Sequence, residues 1–407
     1  MNAPATRTYE HCRQWVRDGH QVTVVTCAPN HPQGKVYKGY SNRIYQRETR
    51  DGISVVRVWT FVTANEGFLK RTLNYISYMC SAVIVSFFLP KADVVLSTSP
   101  QFFNGLAGYF VSKLRRIPWV LEIRDLWPES IVAVGAINRH AIITMLEWVE
   151  RFAYRNADRI VPVTDSFKTH MQSKGIEAGK ITVVKNGVDL AQFAPLDGMS
   201  ALAEELGVKG KFVVSYFGTH GMAHHLETVF HAARRLGSSK NIVFLMVGDG
   251  AERQALVQMR DKMALDNVLM LDQQPKSRMR EFWALSNISL VLLKKSDLFK
   301  TVIPSKIFES LAMAKPIILG VEGESAELLE AAKAGICIEP EQADDLAARV
   351  LELSQNPERC RQLGRNGRQY VMEHFDRIVL ARKLASVIES VGGKTVFEAE
   401  EISVTLR

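Results

Sequence analysis

The chain has 407 residues, 47% hydrophobic and 23% charged, which describes a globular protein long enough for two domains, each with its own core. Cys12, Cys27, Cys80, Cys337 and Cys360 form no close pairs, which argues against a disulfide framework or a zinc site and fits a reducing cytoplasm. The net charge of +8 is uneven: 24 Lys+Arg against 15 Asp+Glu give +9 for residues 1–195, and 27 against 28 leave −1 for residues 196–407. The basic half is therefore expected to meet something anionic, either a membrane surface or a phosphorylated substrate. No aromatic–basic motif of a nucleic-acid reader occurs, so nucleic acid is not expected as a partner.

Met1-Asn2-Ala3-Pro4 leads straight into a polar, helix-like segment without a leader pattern. Short runs rich in Val and Ile then alternate with helical segments. They are Gln21–Thr26, Ile53–Val58, Ala92–Ser97, Trp119–Ile123, Arg159–Val163 and Ile181–Lys185 in the first half. The series restarts after the Gly- and Pro-containing stretch Gly187–Gly210, read as a linker plus a short helix. It continues with Phe212–Phe217, Ile242–Val247, Val268–Leu271, Ile288–Leu293, Pro316–Gly320 and Gly335–Ile338. Apolar strands separated by helices predict parallel sheets covered on both faces. The fold class expected is α/β, with two doubly wound Rossmann-like domains facing a ligand cleft at the carboxyl ends of their strands. The boundaries are 1–195 and 196–375, followed by a helix at 376–391 that packs back on the first domain and a mobile tail at 392–407. Thr72 to Pro90 is apolar but interrupted by Asn74, Ser77, Ser81 and Ser86; a buried helix, a helix lying in a membrane interface and a span all fit it.

Candidate chemistry gathers at strand ends. Glu122-Ile123-Arg124-Asp125-Leu126-Trp127-Pro128-Glu129 puts charged groups at a carboxyl end, where an Arg124 ion pair with Asp125 or Glu129 could equally just shape the loop. Asn186-Gly187-Val188-Asp189 reads as a turn. Gly218-Thr219-His220-Gly221 and Val247-Gly248-Asp249-Gly250 each follow a strand, and their glycines would let backbone amides approach a ligand; surface loops are the plainer reading. Pro304-Ser305-Lys306-Ile307-Phe308-Glu309 opens a helix, whose first turn offers free amides and a partial positive charge to a phosphate. Glu309, four residues after Ser305, lies on the same face and could accept both hydroxyls of a ribose. A capped amphipathic helix with Ile307, Phe308, Leu311, Ala312 and Met313 in the core would show the same pattern.

The order Asn186-Gly187-Val188-Asp189…Phe193-x-Pro195, Gly248-Asp249-Gly250, then Phe308-Glu309-Ser310-Leu311-Ala312-Met313-Ala314-Lys315-Pro316 resembles glycosyltransferase family 4, of the GT-B fold, over roughly residues 3 to 391. Ala3-Pro4-Ala5-Thr6-Arg7-Thr8-Tyr9-Glu10, Pro29-Asn30-His31-Pro32-x-Gly34, Arg124 to Ser130 and Gly218 to His224 look like its O-antigen L-fucosamine transferase (WbuB-type) branch. The resemblance implies a retaining transferase that moves a hexosamine from a UDP-sugar to a lipid-diphosphate-linked saccharide. It would work at the cytoplasmic face of a membrane, held there peripherally, with no metal or other cofactor. It implies a donor site at Gly218, Gly248, Ser305, Lys306 and Glu309, with the base near Gly248 and Val268–Leu271. Lys306 and His220 would stabilise the departing UDP, and Arg124 and Asp125 would face the transferred sugar or the acceptor. Thr301 stands where the family commonly has the first of two carboxylates seven residues apart. Members also carry a strand and a glycine-rich loop ahead of the stretch that begins here at Ala3, so the first strand is expected to be missing, through a late start or in an impaired form. A sugar-nucleotide epimerase of similar fold and a nucleotide-binding protein without turnover are the rival readings.

Overall fold

The computed structural model describes residues 3–30, 34–63, 68–99, 102–133, 140–196 and 200–393. Met1, Asn2, His31, Pro32 and the tail beyond Gly393 lie outside the described residues, and with them the expectations that fall there.

In chain order the first half carries α1 (Ala3–Arg17), β1 (Thr23–Cys27), β2 (Tyr45–Arg50), β3 (Ile53–Val58), α2 (Phe68–Ser86), β4 (Val95–Thr98), α3 (Phe102–Arg115), β5 (Trp119–Ile123), α4 (Glu129–Ala133), α5 (His140–Asn156), β6 (Arg159–Pro162) and α6 (Asp165–Ser173). The second half carries α7 (Ser200–Glu205), β7 (Phe212–Phe217), α8 (Glu227–Arg235), β8 (Ile242–Val247), α9 (Arg253–Lys262), β9 (Val268–Leu271), α10 (Met279–Leu285), β10 (Ile288–Leu292), α11 (Lys306–Ala312), β11 (Ile317–Gly320), α12 (Glu324–Ala332), β12 (Gly335–Cys337), α13 (Ala343–Ser354), α14 (Pro357–His374) and α15 (Arg377–Gly392).

The second half forms one parallel sheet in the order β12-β11-β10-β7-β8-β9, with the strand order reversing at β7 and β10. Ligands of open α/β sheets bind at such a reversal. Every residue of β8, β10 and β11 is buried, as a sheet covered on both faces by helices requires.

The first half contains two three-stranded sheets, β1-β3-β2 and β4-β5-β6. No further strand joins them among the described residues. β5 is buried throughout, whereas β1 and β4 are mostly only half-buried, as open edges are. One apolar cluster ties the two sheets together: Ile53 and Val55 from the first and Val120 and Val161 from the second pack with Cys12 and Trp15 of α1 and with Leu380, Ala381 and Leu384 of α15. β2 is an addition to the expected strands. Its sequence, Tyr-Gln-Arg-Glu-Thr-Arg, is polar because it is an exposed antiparallel edge, and it turns into β3 through Asp51 and Gly52, both at positive φ. Ile181–Lys185, expected as a strand, makes an isolated bridge from Ile181 to Ile160 and hydrogen bonds from Thr182 and Val184 along β6.

The halves are joined across the cleft. Glu324, at the start of α12, accepts the amide hydrogens of Asp165 (3.0 Å) and Ser166 (2.8 Å) at the start of α6, and lies 3.1 Å from Lys185. It caps, from the second half, a helix that belongs to the first. α15 returns to the first half, where Trp15 Nε1 donates to the Ala381 carbonyl at 2.7 Å. No helix of the described residues is long and apolar enough to cross a membrane. α2 instead buries Ala82 and Val85 and hydrogen-bonds Tyr78 to the Val25 carbonyl at 2.9 Å. Trp15→Ala removes a buried indole and a buried hydrogen bond at the α1–α15 contact. It should cost about 3–5 kcal/mol of stability, read as a lowered urea midpoint.

Candidate active site

The loops after β7 and β8 are laced into one cradle. Gly218 N–H donates to the Val247 carbonyl at 3.0 Å, His220 N–H to the Asp249 carbonyl at 2.9 Å, and Glu252 N–H back to the His220 carbonyl at 2.9 Å. The approach leaves no room for side chains. A Cβ on Gly248 would lie 1.8 Å from the Gly218 carbonyl oxygen, and one on Gly250 would lie 2.4 Å from that of His220. The imidazole of His220 is fully buried (0% exposed) against this cradle, and neither ring nitrogen has a hydrogen-bond partner among the described residues. Burial, reinforced by Arg253 and Lys306, lowers its pKa to about 4, so it is neutral at pH 7 and carries one N–H to donate.

Lys306 enters the same cradle from the first position of α11. Its ammonium lies 3.8 Å from the centre of the Tyr216 ring and beneath Gly218, where a Cβ would come within 3.2 Å of Nζ. Nζ is buried and donates to no hydrogen-bond partner among the described residues, a costly state for a cation that the aromatic face offsets only in part. Burial brings its pKa down to about 7, with Glu309 pulling weakly the other way. One turn along α11, half-buried Glu309 is pushed up to about 7 by burial, against Lys276, Lys306 and Arg377 and with Glu10 adding to the rise. Ser305 does not cap α11 with its side chain. Its exposed hydroxyl accepts from Asn186 Nδ2 at 2.6 Å, across the interdomain boundary.

The facing wall is built by α1. Arg7, 1% exposed, donates to Glu122 at 2.9 Å and to the carbonyls of Val184 (3.0 Å) and Lys185 (2.8 Å). Burial would raise the Glu122 carboxyl, yet Arg7, Arg124 and the Thr98 hydroxyl hold it below its ordinary value. Buried Glu10 meets Lys276 of the second half at 3.0 Å and Arg377 at 3.0 Å, and Arg377 donates onward to Asn186 Oδ1 at 2.6 Å. His11 is buried beside them; burial, then the charges of Arg7, Arg377 and Arg124, drive its pKa far down.

The structure thus brings Gly218, His220, Gly248, Lys306 and Glu309 into one cradle, with Ser305 at its rim. Arg124 joins the charged wall with Glu122, Arg7 and His11. Asp125 turns the other way. Burial raises its carboxyl to about 6, with Ser130 and the Leu126 amide of its own loop pulling the other way. Glu129 is engaged by His170 at 3.1 Å and Lys174 at 2.5 Å. Glu129, Glu150 and His170 are close enough to hold a cation, but Lys174 already lies 2.5 Å from one carboxylate and 2.6 Å from the other. In the sequence Arg7 and Glu10 stand only within a family string, and nothing there marks a role for His11, Asn186, Lys276 or Arg377. The spacing of Arg7 and Glu10 on one face of α1 was the available signal.

Two α/β halves thus face each other across a cleft, with a buried cation beneath a glycine cradle and a carboxylate one helical turn away. Residues 2–187 match the glycosyl transferase 4-like domain and residues 201–370 match glycosyl transferases group 1. The chain belongs to this glycosyltransferase family. It is 26% identical over 355 residues to the putative colanic acid biosynthesis glycosyl transferase WcaI of Escherichia coli, covering 83% of this chain and 85% of WcaI. It is 27% identical over 190 residues to an Escherichia coli UDP-Gal:alpha-D-GlcNAc-diphosphoundecaprenol alpha-1,3-galactosyltransferase, covering 45% of this chain and 47% of that one. Anabaena HepE, solved with UDP and glucose, superposes with a TM-score of 0.68 at 18% identity, over 84% of this chain and 87% of HepE, which shows the shared fold.

Gly248→Ala must force the two loops apart and should cost about 1–3 kcal/mol. Gly179→Ala, whose Cβ would meet nothing within 4 Å, should stay within about 0.5 kcal/mol of the parent in the same urea titration.

Proposed function

We propose that the chain transfers a hexosamine from a UDP-sugar to a lipid-diphosphate-linked saccharide during surface polysaccharide assembly of the O-antigen or colanic acid type, as in the L-fucosamine transferase (WbuB-type) branch. The observation that carries this reading is the buried, unpartnered ammonium of Lys306 in a glycine-lined cradle. A group so placed is stabilised by an incoming anion, and a diphosphate supplies one. Ser305 assists, Glu309 takes the ribose hydroxyls, and the backbone at Gly218 and Gly248 lets the nucleotide lie close. The names of the relatives support a polysaccharide pathway, and the diphosphoundecaprenol in one of them supports a lipid-borne acceptor. Such an acceptor places the enzyme peripherally at the cytoplasmic face of a membrane.

In the reaction the bond from the sugar's anomeric carbon to the donor phosphate oxygen breaks, and the acceptor hydroxyl oxygen bonds to that carbon on the same face. The hydroxyl proton passes to the departing phosphate oxygen. Negative charge builds on UDP as the bond opens, where Lys306 and the N–H of neutral His220 meet it. Arg124, on the facing wall, is the residue we assign to the transferred sugar or acceptor; Asp125 acts through the shape of its loop. Lys306 supplies the charge neutralisation that a divalent ion provides elsewhere, so no metal is required.

Mass spectrometry after mixing the protein with UDP-hexosamines and lipid-diphosphate-linked N-acetylglucosamine tests the reading. One added sugar on the lipid is expected, and a free epimer formed without acceptor would overturn it. Lys306→Ala should lower kcat by about 10²–10³-fold with a smaller effect on donor KM; a change in KM alone removes the transition-state role. Added chelator should leave the rate unchanged.

UDP affinity should peak near pH 7. A bound diphosphate favours the ammonium, whose pKa is about 7 in the free protein, so affinity falls by up to about tenfold per pH unit on the alkaline side. Ribose binding favours ionised Glu309, also near 7, so affinity falls again on the acid side. Calorimetry on Lys306→Met should show the alkaline limb flattened, and Glu309→Gln the acid limb.

A further inference from the structure

Helices α2, α3 and α5 of the first half leave large apolar side chains in water. On α2 and just beyond it these are Leu73, Ile84, Phe87 and Phe88, the last 80% exposed. α3 adds Phe110 and Leu114, and α5 adds Met145 and Trp148, the latter 62% exposed. Aromatic contacts join neighbouring helices along this ridge. Tyr75 of α2 meets Phe103 of α3 at 6.4 Å, Tyr109 of α3 meets Phe152 of α5 edge-on at 5.0 Å, and Phe152 stacks on Trp148 at 5.7 Å. Arg115 at the end of α3 donates to the Leu89 carbonyl at 2.9 Å, so α2 and α3 finish side by side. Scattered exposed apolar residues are ordinary, but a run across three adjacent helices marks a contact surface.

The charge along α2 and α3 is mostly of one sign. Residues 68–116 contain six basic residues, Lys70, Arg71, Lys91, Lys113, Arg115 and Arg116, against Asp93 alone. At the foot of α3 and α5 a cavity of about 500 Å³ is lined by four cations, Lys113, Arg155, Arg159 and Lys180, against two carboxylates, Asp158 and Glu177. Lys180 donates to the Arg155 carbonyl at 2.6 Å and Arg159 to the Asp158 carbonyl at 3.0 Å, while the Asp158 carboxylate is occupied by the Trp119 amide at 2.8 Å. Among the described residues none of these four cations is within ion-pair distance of a carboxylate.

We propose that this ridge and the cationic cavity at its foot form the docking surface for an anionic lipid bilayer. The aromatic side chains enter the boundary between headgroups and acyl chains, and the cavity receives a lipid phosphate. A second copy of the chain is the poorer occupant, because two such faces would bring like charges together. α3 and α5 run antiparallel to the strands they connect, so the ridge starts at the cleft end of the domain and finishes at the cations. The inference deepens the lipid-acceptor reading and rests on it for the purpose of the contact. Its residues are separate from the donor cradle, so the two can fail separately.

The test is sedimentation of the whole protein with vesicles of phosphatidylcholine, with and without phosphatidylglycerol. Binding is expected only with phosphatidylglycerol and should weaken with salt. Phe88→Ser and Trp148→Ser should each weaken it about tenfold. Lys113→Ser and Arg155→Ser should each weaken it about fivefold. All four variants should keep the parent's UDP affinity, which checks their fold. Brominated acyl chains should quench tryptophan emission in the parent and not in Trp148→Phe. Undiminished binding by the variants, quenching that survives Trp148→Phe, or dimers forming through this face without lipid would each overturn the proposal. So would a protein that transfers sugar to a water-soluble acceptor yet ignores phosphatidylglycerol vesicles; that result would leave the transfer reaction standing.

Discussion

The site depends on holding one ammonium out of water without giving it a counterion. Lys306 is kept there by the Tyr216 ring, by two loops that only glycine allows to come so close, and by α11, which starts at the lysine itself. Each of these is a backbone or packing constraint, so the cation cannot relax toward solvent without disturbing β7, β8 or the helix. Preorganisation of this kind is what makes a charge effective when new charge appears opposite it, because nothing has to reorient. The fully buried β8 and β10 are in this sense the rigid base of the chemistry.

The opposite wall follows another logic. Arg7, Glu122, Glu10, Lys276 and Arg377 are interlocked, with each buried carboxylate meeting at least one cation at close to 3 Å. Such a network adds little net stability, since desolvation cancels much of the attraction. It does fix position: Glu10 binds a residue of the second half and a residue of α15 at once, so α1 sets the separation of the cleft walls. Arginine suits this task because its fork can serve a carboxylate and backbone carbonyls together, as Arg7 does.

The parallel strands were readable because strands buried on both faces must be apolar, and Phe212–Phe217 and Ile242–Val247 carry that pattern without interruption. The two α/β domains expected from them are found, and with them the GT-B fold that the family resemblance implies. β2 escaped notice because an antiparallel edge need not be apolar; its one signal was Asp51-Gly52 before a Val-rich run. In the cradle, the glycines and Lys306 stood out as local motifs at strand and helix ends. The charged wall did not, because its partners are far apart in sequence: 115 residues from Arg7 to Glu122 and 266 from Glu10 to Lys276. Arg124 and Asp125, adjacent in the chain, point into different surroundings because successive residues leaving a strand face opposite ways. No motif spacing distinguishes which of the two reaches the cleft.

Glu324 carries a temporal consequence. Its carboxylate sits on the second half, yet it receives two amide hydrogens and a lysine from the first. A parting of the two halves at this point breaks those three contacts together and returns a desolvated carboxylate to water. How long the walls stay aligned therefore depends on a helix cap supplied by the other half of the chain.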